Sequence, residues 1–367
     1  MRFAILLTAL TLTAHAQWTL QNSGSTASLR GIHALSPQMA WASGTGGTVL
    51  RTEDGGHTWQ HCTTPPNAEK LDFRGVQGID AATAIVMSSG KGDLSRLYKT
   101  TDGCKTWTLL YTNPDQDGFW DGIAFTSPEH GFLLGDPVLT KGDSKPHIFL
   151  EETSDGGSHW KNWHESSDTL TEPTNATIFA ASNSSMLVTQ NSVLIGLSDH
   201  VRGITLLAAC CHLKMFGVEP LPSKAISTVL GTLPFVAGES AGIYSIAAGD
   251  GGMMAVGGDY QKPNDTYENA VFVDGKDIRH QPQTFPHGYR SAVAYDPGAN
   301  TWVTVGPNGT DISTNDGRNW QALKPGPNDP ADADQHWNAL SLPFVVGSKG
   351  RIGLLQADRL KPPPSSH

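Results

Sequence analysis

Three arginines occupy one recurring slot in short apolar segments. Arg30 stands in Leu29-Arg30-Gly31-Ile32, Arg74 in Phe73-Arg74-Gly75-Val76 and Arg290 in Gly288-Tyr289-Arg290-Ser291. A guanidinium presents a planar fork of donors that grips a carboxylate at both oxygens. Three of them at one spot would form a receptor for carboxylates or an acidic peptide. Asp121, in Phe119-Trp120-Asp121-Gly122-Ile123, and Trp337, in His336-Trp337-Asn338-Ala339, fall in similar slots and are expected to border the same space. The alternative is that each arginine pairs locally with an acid such as Asp72 or Asp121. The receptor reading requires an architecture that carries residues far apart in the chain to a common axis.

A repeated motif points to that architecture. It reads Thr52-Glu53-Asp54-Gly55-Gly56-His57-Thr58-Trp59, then Thr101-Asp102-Gly103-Cys104-Lys105-Thr106-Trp107, then Ser154-Asp155-Gly156-Gly157-Ser158-His159-Trp160, and finally Thr314-Asn315-Asp316-Gly317-Arg318-Asn319-Trp320. The first three copies recur about every 50 residues, a period that suits propeller blades rather than helical solenoids. The aspartate accepts hydrogen bonds from backbone N–H groups further along the turn. Glycine supplies the positive φ, and the tryptophan buries its ring against the neighbouring sheet. This is the Asp-box, and it predicts a structural role for Asp54, Trp59, Asp102, Trp107, Asp155, Trp160, Asp316 and Trp320.

Seven segments read as innermost strands: those holding Arg30, Arg74, Asp121 and Arg290, together with Thr177-Ile178-Phe179-Ala180, Ala241-Gly242-Ile243-Tyr244 and the segment at Trp337. The expectation is an all-β, seven-bladed β-propeller over residues 17–360. Gln17-Trp18-Thr19-Leu20 resembles a strand that follows an Asp-box, so it is expected to complete the last sheet beside Arg351–Gln356 and close the ring. Residues 196–227 are anomalous, with adjacent Cys210 and Cys211 and no Asp-Gly turn, which fits either compensating frameshifts or a divergent insertion. The tail 361–367 is expected to be disordered.

Composition narrows the function. Charged residues make up 16% of the chain, too few for a disordered chain or a long coiled coil. The formal net charge of −10 argues against nucleic-acid binding as the main task. Residues 1–16 read as a signal peptide: Arg2, an apolar run Phe3–Thr13 and an Ala14-His15-Ala16 cleavage site. That run is well short of the roughly 20 residues that a spanning helix needs. Export to the periplasm or beyond would let Cys62 and Cys104 form a disulfide, the alternative being two free thiols. Histidines are scattered without zinc-ligand spacing, and Asp329, Asp332 and Asp334 read as a solvated surface turn rather than a calcium loop.

The segments GTGGTVLRTEDGGHTW (44–59) and RLYKTTDGCKTW (96–107) resemble the photosystem II stability/assembly factor-like proteins, exported seven-bladed propellers with Asp-box (BNR) repeats. The resemblance implies a non-enzymatic binding or assembly scaffold. With the composition, the expectation is a monomer with a protein or peptide partner and no cofactor, metal, nucleic acid or membrane span. The competing reading from another class is a sialidase-like glycosidase. Such enzymes are also Asp-box propellers, and they hold the substrate carboxylate with an arginine triad beside a tyrosine nucleophile and acidic partners. Glu239, Tyr244, Tyr260, Tyr289, Asp121 and Asp136 supply candidate pieces, in no context that resembles a sialidase.

Overall fold

The computed structural model describes residues 18–139, 146–162, 176–189, 192–199, 203–210, 226–274, 279–326, 329–356 and Leu360. The expected signal peptide, the tail 361–367 and the link 211–225, with Cys211, lie outside these residues. The protein is a β-propeller built almost wholly of antiparallel strands, with two short 3₁₀ turns as its helical content among the described residues.

The described strands lie in seven sheets. The first contains Leu29–Ala34, Ala40–Gly44, Val49–Thr52 and Gln60–His61. The second contains Phe73–Gly78, Ala84–Ser88, Arg96–Thr100 and Thr108–Thr112. The same four-strand meander recurs from Trp120–Phe125, from Ala241–Gly249 and from Ala292–Asp296. In the seventh sheet Trp337–Ser341, Phe344–Gly347 and Ile352–Leu355 are joined by Trp18–Gln21, with Trp18 opposite Leu355 and Gln21 opposite Ile352. The Trp18 indole packs 5.8 Å from Trp337 and donates to Thr310 Oγ1 at 3.0 Å.

Buried apolar clusters lie between consecutive sheets. One joins Trp41 and Val49 of the first sheet to Val76 and Val86 of the second. Another joins Leu29 and Leu50 of the first sheet to Phe344 and Ile352 of the seventh. Second strands such as Ala40–Gly44 and Ala84–Ser88 are therefore buried on both faces, one against each neighbouring sheet, which is why Ala84–Ser88 reads as a nearly continuous apolar run. Trp59 packs edge-on against Phe344, and Trp160 stacks on Tyr111 of the second sheet, so these turn tryptophans seal seams between sheets.

The turns themselves are held by local hydrogen bonds. In the first, Thr52 Oγ1 donates to Asp54 Oδ1 (2.8 Å) and accepts from the Gly56 N–H (2.9 Å). Asp54 accepts from the N–H and hydroxyl of Thr58. Those bonds hold the exposed Asp54 carboxyl down at about 2. The second and third turns repeat the pattern with Thr100–Asp102 and Thr153–Asp155. The fourth corrects the sequence reading. Asn315, and not Asp316, accepts from Ser313 Oγ and from the Asn319 N–H. Asp316 instead sits at φ +54°, where the other turns carry Gly55, Gly103 and Gly156. Counting back from the tryptophan gives the reason: the capping oxygen lies five residues before it in all four turns, and in the fourth an amide supplies it.

Cys62 and Cys104 form a disulfide that ties the first sheet to the turn of the second. Across the anomalous stretch, Gly203–Cys210 forms a strand paired on both sides, with Ser192–Asp199 and with Ile226–Leu233.

The fourth sheet departs from expectation at its inner edge. Only Ala176–Thr177 of the anticipated strand pairs as one. Residues 178–184 then leave the sheet, and Met186–Val188 takes the inner position. The detour reaches residues of four other sheets. Ala180 O accepts from Arg74, and Asn183 bonds both the N–H and the C=O of Ile123. Ser184 O accepts from the Ile246 N–H, and Ser182 Oγ donates to Ser291 O.

Candidate functional site

A cavity of about 550 Å³ opens among the inner strands, and the detour segment supplies Ile178, Phe179, Ala180 and Ala181 to its lining. Its chemistry comes from β-bulges. A bulge leaves one residue out of the ladder and re-aims its side chain. Register breaks fall between Leu29 and Gly31, Phe73 and Gly75, Trp120 and Gly122, Ile243 and Ser245, and Trp337 and Ala339. The residues left over are Arg30, Arg74, Asp121, Tyr244 and Asn338, and all five line the cavity. A further break between Gly135 and Pro137 aims Asp136 into the same space.

A close approach of backbone enforces this geometry. In the second strand of five sheets, at or near its end, stands a glycine: Gly44, Gly135, Gly257, Gly306 or Gly347. A Cβ there would lie 1.9–2.5 Å from the carbonyl oxygen of Ser28, Phe119, Gly242, Tyr289 or His336, respectively. In each case the cavity-facing residue lies two positions after that carbonyl: Arg30, Asp121, Tyr244, Ser291 and Asn338.

The same rule displaces Arg290 from the expected arginine cluster. Arg290 is one residue short of the bulge position, in the inward slot held elsewhere by Leu29 and Trp120, and Ser291 faces the cavity in its place. The Arg290 side chain is 0% exposed. Its Nε donates to Asp311 Oδ2 at 2.8 Å, Nη2 pairs with the same oxygen, and Nη1 reaches Tyr289 O and Asn308 Oδ1. His287 Nδ1 lies 2.8 Å from the other oxygen of Asp311. Burial works against the Asp311 charge, but these partners outweigh it and hold the carboxyl below its usual range. Arg290 is thus a buried strut. Trp337 does border the cavity, but as a fully buried ring held under the Arg351 guanidinium at 5.2 Å, and the polar group aimed inward beside it is Asn338. The supposed surface turn at 329–334 is also partly interior: Asp334 is buried and Asp332 pairs with Arg351.

Arg30 and Arg74 remain, and Asp72 sits between them. Arg74 Nε donates to Asp72 Oδ2 at 2.9 Å, whereas Arg30 Nε stands 3.7 Å from Oδ1. The local pairing foreseen as the alternative therefore exists for Arg74 and is loose for Arg30. Arg74 also lies over the Phe119 ring and donates to Ala180 O.

Asp121 and Asp136 line the cavity near Arg74. Asp121 is 1% exposed, and among the described residues neither of its carboxylate oxygens has a hydrogen-bond partner. Burial, with Asp136 adding to it, raises its pKa well above the ordinary range against the pull of Arg74. Asp136 accepts from the Ile178 N–H at 3.2 Å, and burial pushes it up to about 6. A third wall is aromatic: Phe179 stacks on Tyr244 at 4.2 Å, and Tyr289 and Tyr260 stand edge-on to Tyr244. Tyr244 donates to Ser240 O, and burial raises its hydroxyl far above the usual phenol range.

The glycosidase pieces Tyr244, Tyr260, Tyr289, Glu239, Asp121 and Asp136 all line this cavity, but the arginine triad does not assemble, because Arg290 points elsewhere. Among the described residues no cluster of three or more metal-ligating side chains occurs, and no helix is long and apolar enough to cross a membrane. Sequence reasoning missed Phe179, Ser291 and Asn338. The close-approach glycines mark the latter two, but only once the strands are paired.

Known structures share this fold. YCF48 bound to D1 peptide superposes with a TM-score of 0.58 at 15% identity, over 93% of this chain and 97% of that one. YCF48 from Cyanidioschyzon merolae superposes with a TM-score of 0.61 at 16% identity, over 94% of this chain and all of the other. No family model and no curated protein matches the chain.

Proposed function

We propose that this protein is an exported, seven-bladed propeller scaffold that binds a carboxylate-bearing protein or peptide segment in its axial cavity, with Arg30 and Arg74 as the grip. The observation that carries the reading is the pair of guanidiniums on one wall, sharing a single aspartate, where one arginine is tightly paired and the other is loosely held. An incoming carboxylate would accept from the free donors of both forks. The aromatic wall of Tyr244, Phe179 and Tyr289 offers apolar area to a neighbouring peptide side chain. One fold neighbour is bound to a D1 peptide, and peptide capture by the same kind of ring agrees with the assembly factor-like resemblance in residues 44–59 and 96–107.

The reading includes the ring itself, with Trp18–Gln21 as the last strand of the seventh blade, supported by its pairing with Ile352–Leu355. It also includes removal of residues 1–16 on export, supported by the Arg2, apolar run and Ala14-His15-Ala16 pattern.

Titration calorimetry of the purified protein with a peptide bearing a free C-terminal carboxylate, and with its amide, tests the site. Binding of the acid form, weakened about tenfold or more by Arg74→Ala or Arg30→Ala, is the expected result. Equal binding of acid and amide would remove the arginine pair from the function. Turnover of a fluorogenic sialoside would replace the scaffold reading with the glycosidase one.

A further inference from the structure

We infer that the Asp121–Asp136 carboxyl pair forms a second subsite in the cavity that receives a cationic side chain, so that the ligand is an amino-acid carboxylate carrying a basic group, as at a peptide ending in lysine or arginine. The inference deepens the peptide-carboxylate reading and rests on it.

Two observations carry it. The first is the orphaned carboxylate: Asp121 lines the cavity, is almost wholly buried, and has no hydrogen-bond partner on either oxygen among the described residues. A buried charge of this kind is costly unless something pairs with it. Arg290 has its Asp311 and Arg74 has its Asp72, while Asp121 faces another acid. A cation entering between Asp121 and Asp136 would supply the missing donors to both.

The second is the charge count. Arg30 and Arg74 share the cavity and its rim with Asp72, Asp121, Asp136 and Glu239. Two guanidiniums against four carboxyl groups do not favour a plain dianion. They match a ligand that brings one negative and one positive group. The upward pKa shifts of Asp121 and Asp136, caused first by burial, mark the unpaired state that such a cation would relieve. The placement of both carboxylates is built in by strand geometry, since each occupies a bulge in adjacent strands of the same sheet.

The test compares two synthetic probes on the full chain by calorimetry: N-acetyl-glycyl-alanyl-lysine and N-acetyl-glycyl-alanyl-norleucine, both with free carboxylates. The lysine probe is expected to bind about tenfold tighter than the norleucine probe. Asp121→Asn should bring the two affinities within about threefold of each other, while Arg74→Ala weakens both. Equal affinities on the unmodified protein, or a lysine preference that survives Asp121→Asn, would overturn the second subsite and leave the arginine site standing. Failure of both probes to bind would take the carboxylate reading down and this proposal with it. The comparison on the unmodified protein remains decisive even if a variant fails to fold.

Discussion

Arg74 and Arg290 stand in segments that look alike, and the fold puts them to opposite uses. Arg74 is the extra residue of a bulge, part exposed, with its fork turned into the cavity. Arg290 is one position earlier in its own sheet, fully buried, with its donors taken by Asp311, Asn308 and Tyr289 O. Neighbouring residues on an extended chain point to opposite faces, so one step along the backbone converts a cavity-lining side chain into an internal strut. Similarity of motif is therefore weaker evidence for a shared site than identity of register.

The comparison can be broken most sharply at Arg290. Arg290→Ala leaves the Asp311 carboxylate buried without its main partner, and chemical denaturation should report a loss of about 3–5 kcal/mol. A loss under about 1 kcal/mol would return Arg290 to the surface. Asp136→Asn probes the other side of the comparison through pH. The native carboxyl titrates at about 6 against an unfolded value of 3.8. The native state therefore holds the proton more tightly, so the wild-type protein loses stability as pH rises from about 4 through 6. The asparagine variant escapes that loss: it should be more stable than wild type by on the order of 2 kcal/mol at pH 8, and indistinguishable from it at pH 4. Thermal melts at the two pH values check the sign.

A smaller effect tests the fourth turn. Asn315→Ala removes the acceptor for Ser313 and the Asn319 N–H and should cost about 1 kcal/mol. Asp316→Ala breaks neither of these bonds and should cost less. A larger loss at Asp316 would restore it as the capping residue. The smallest effect on stability belongs to Arg74→Ala, below about 1 kcal/mol because its ion pair with Asp72 is part exposed. Its consequence should appear in peptide affinity instead. The Arg290 and Arg74 variants thus separate the buried strut from the cavity-lining arginine in one pair of melts.

Much of the fold was legible because it is written locally. Each of these Asp-Gly or Asn-Asp turns closes its hydrogen bonds within eight residues, so Thr52, Asp54 and Trp59 announce the turn wherever the chain later goes. The order of sheets followed from those turns and from apolar runs such as Ala84–Ser88. The cavity was only half legible. Arg30, Arg74 and Asp121 were found because each occupies the same slot of an apolar segment near the start of a strand. Ser291 was missed because that slot put Arg290 forward in its place. The detour at 178–184 was invisible, since its bonds run to Arg74, Ile123, Ile246 and Ser291 and no local pattern records them.

What the amino-acid order determined by itself was therefore the repeated turn, the paired cysteines as candidates and the two arginines at a strand start, because backbone hydrogen bonding over a few residues needs nothing from outside. Which side chains meet was decided only when strands paired. Hairpins of unequal length separate each bulge from the glycine that enforces it, so the position cannot be counted along the chain. The contact between a second-strand glycine and a carbonyl oxygen at or just before the start of the neighbouring strand sets which residue turns into the cavity.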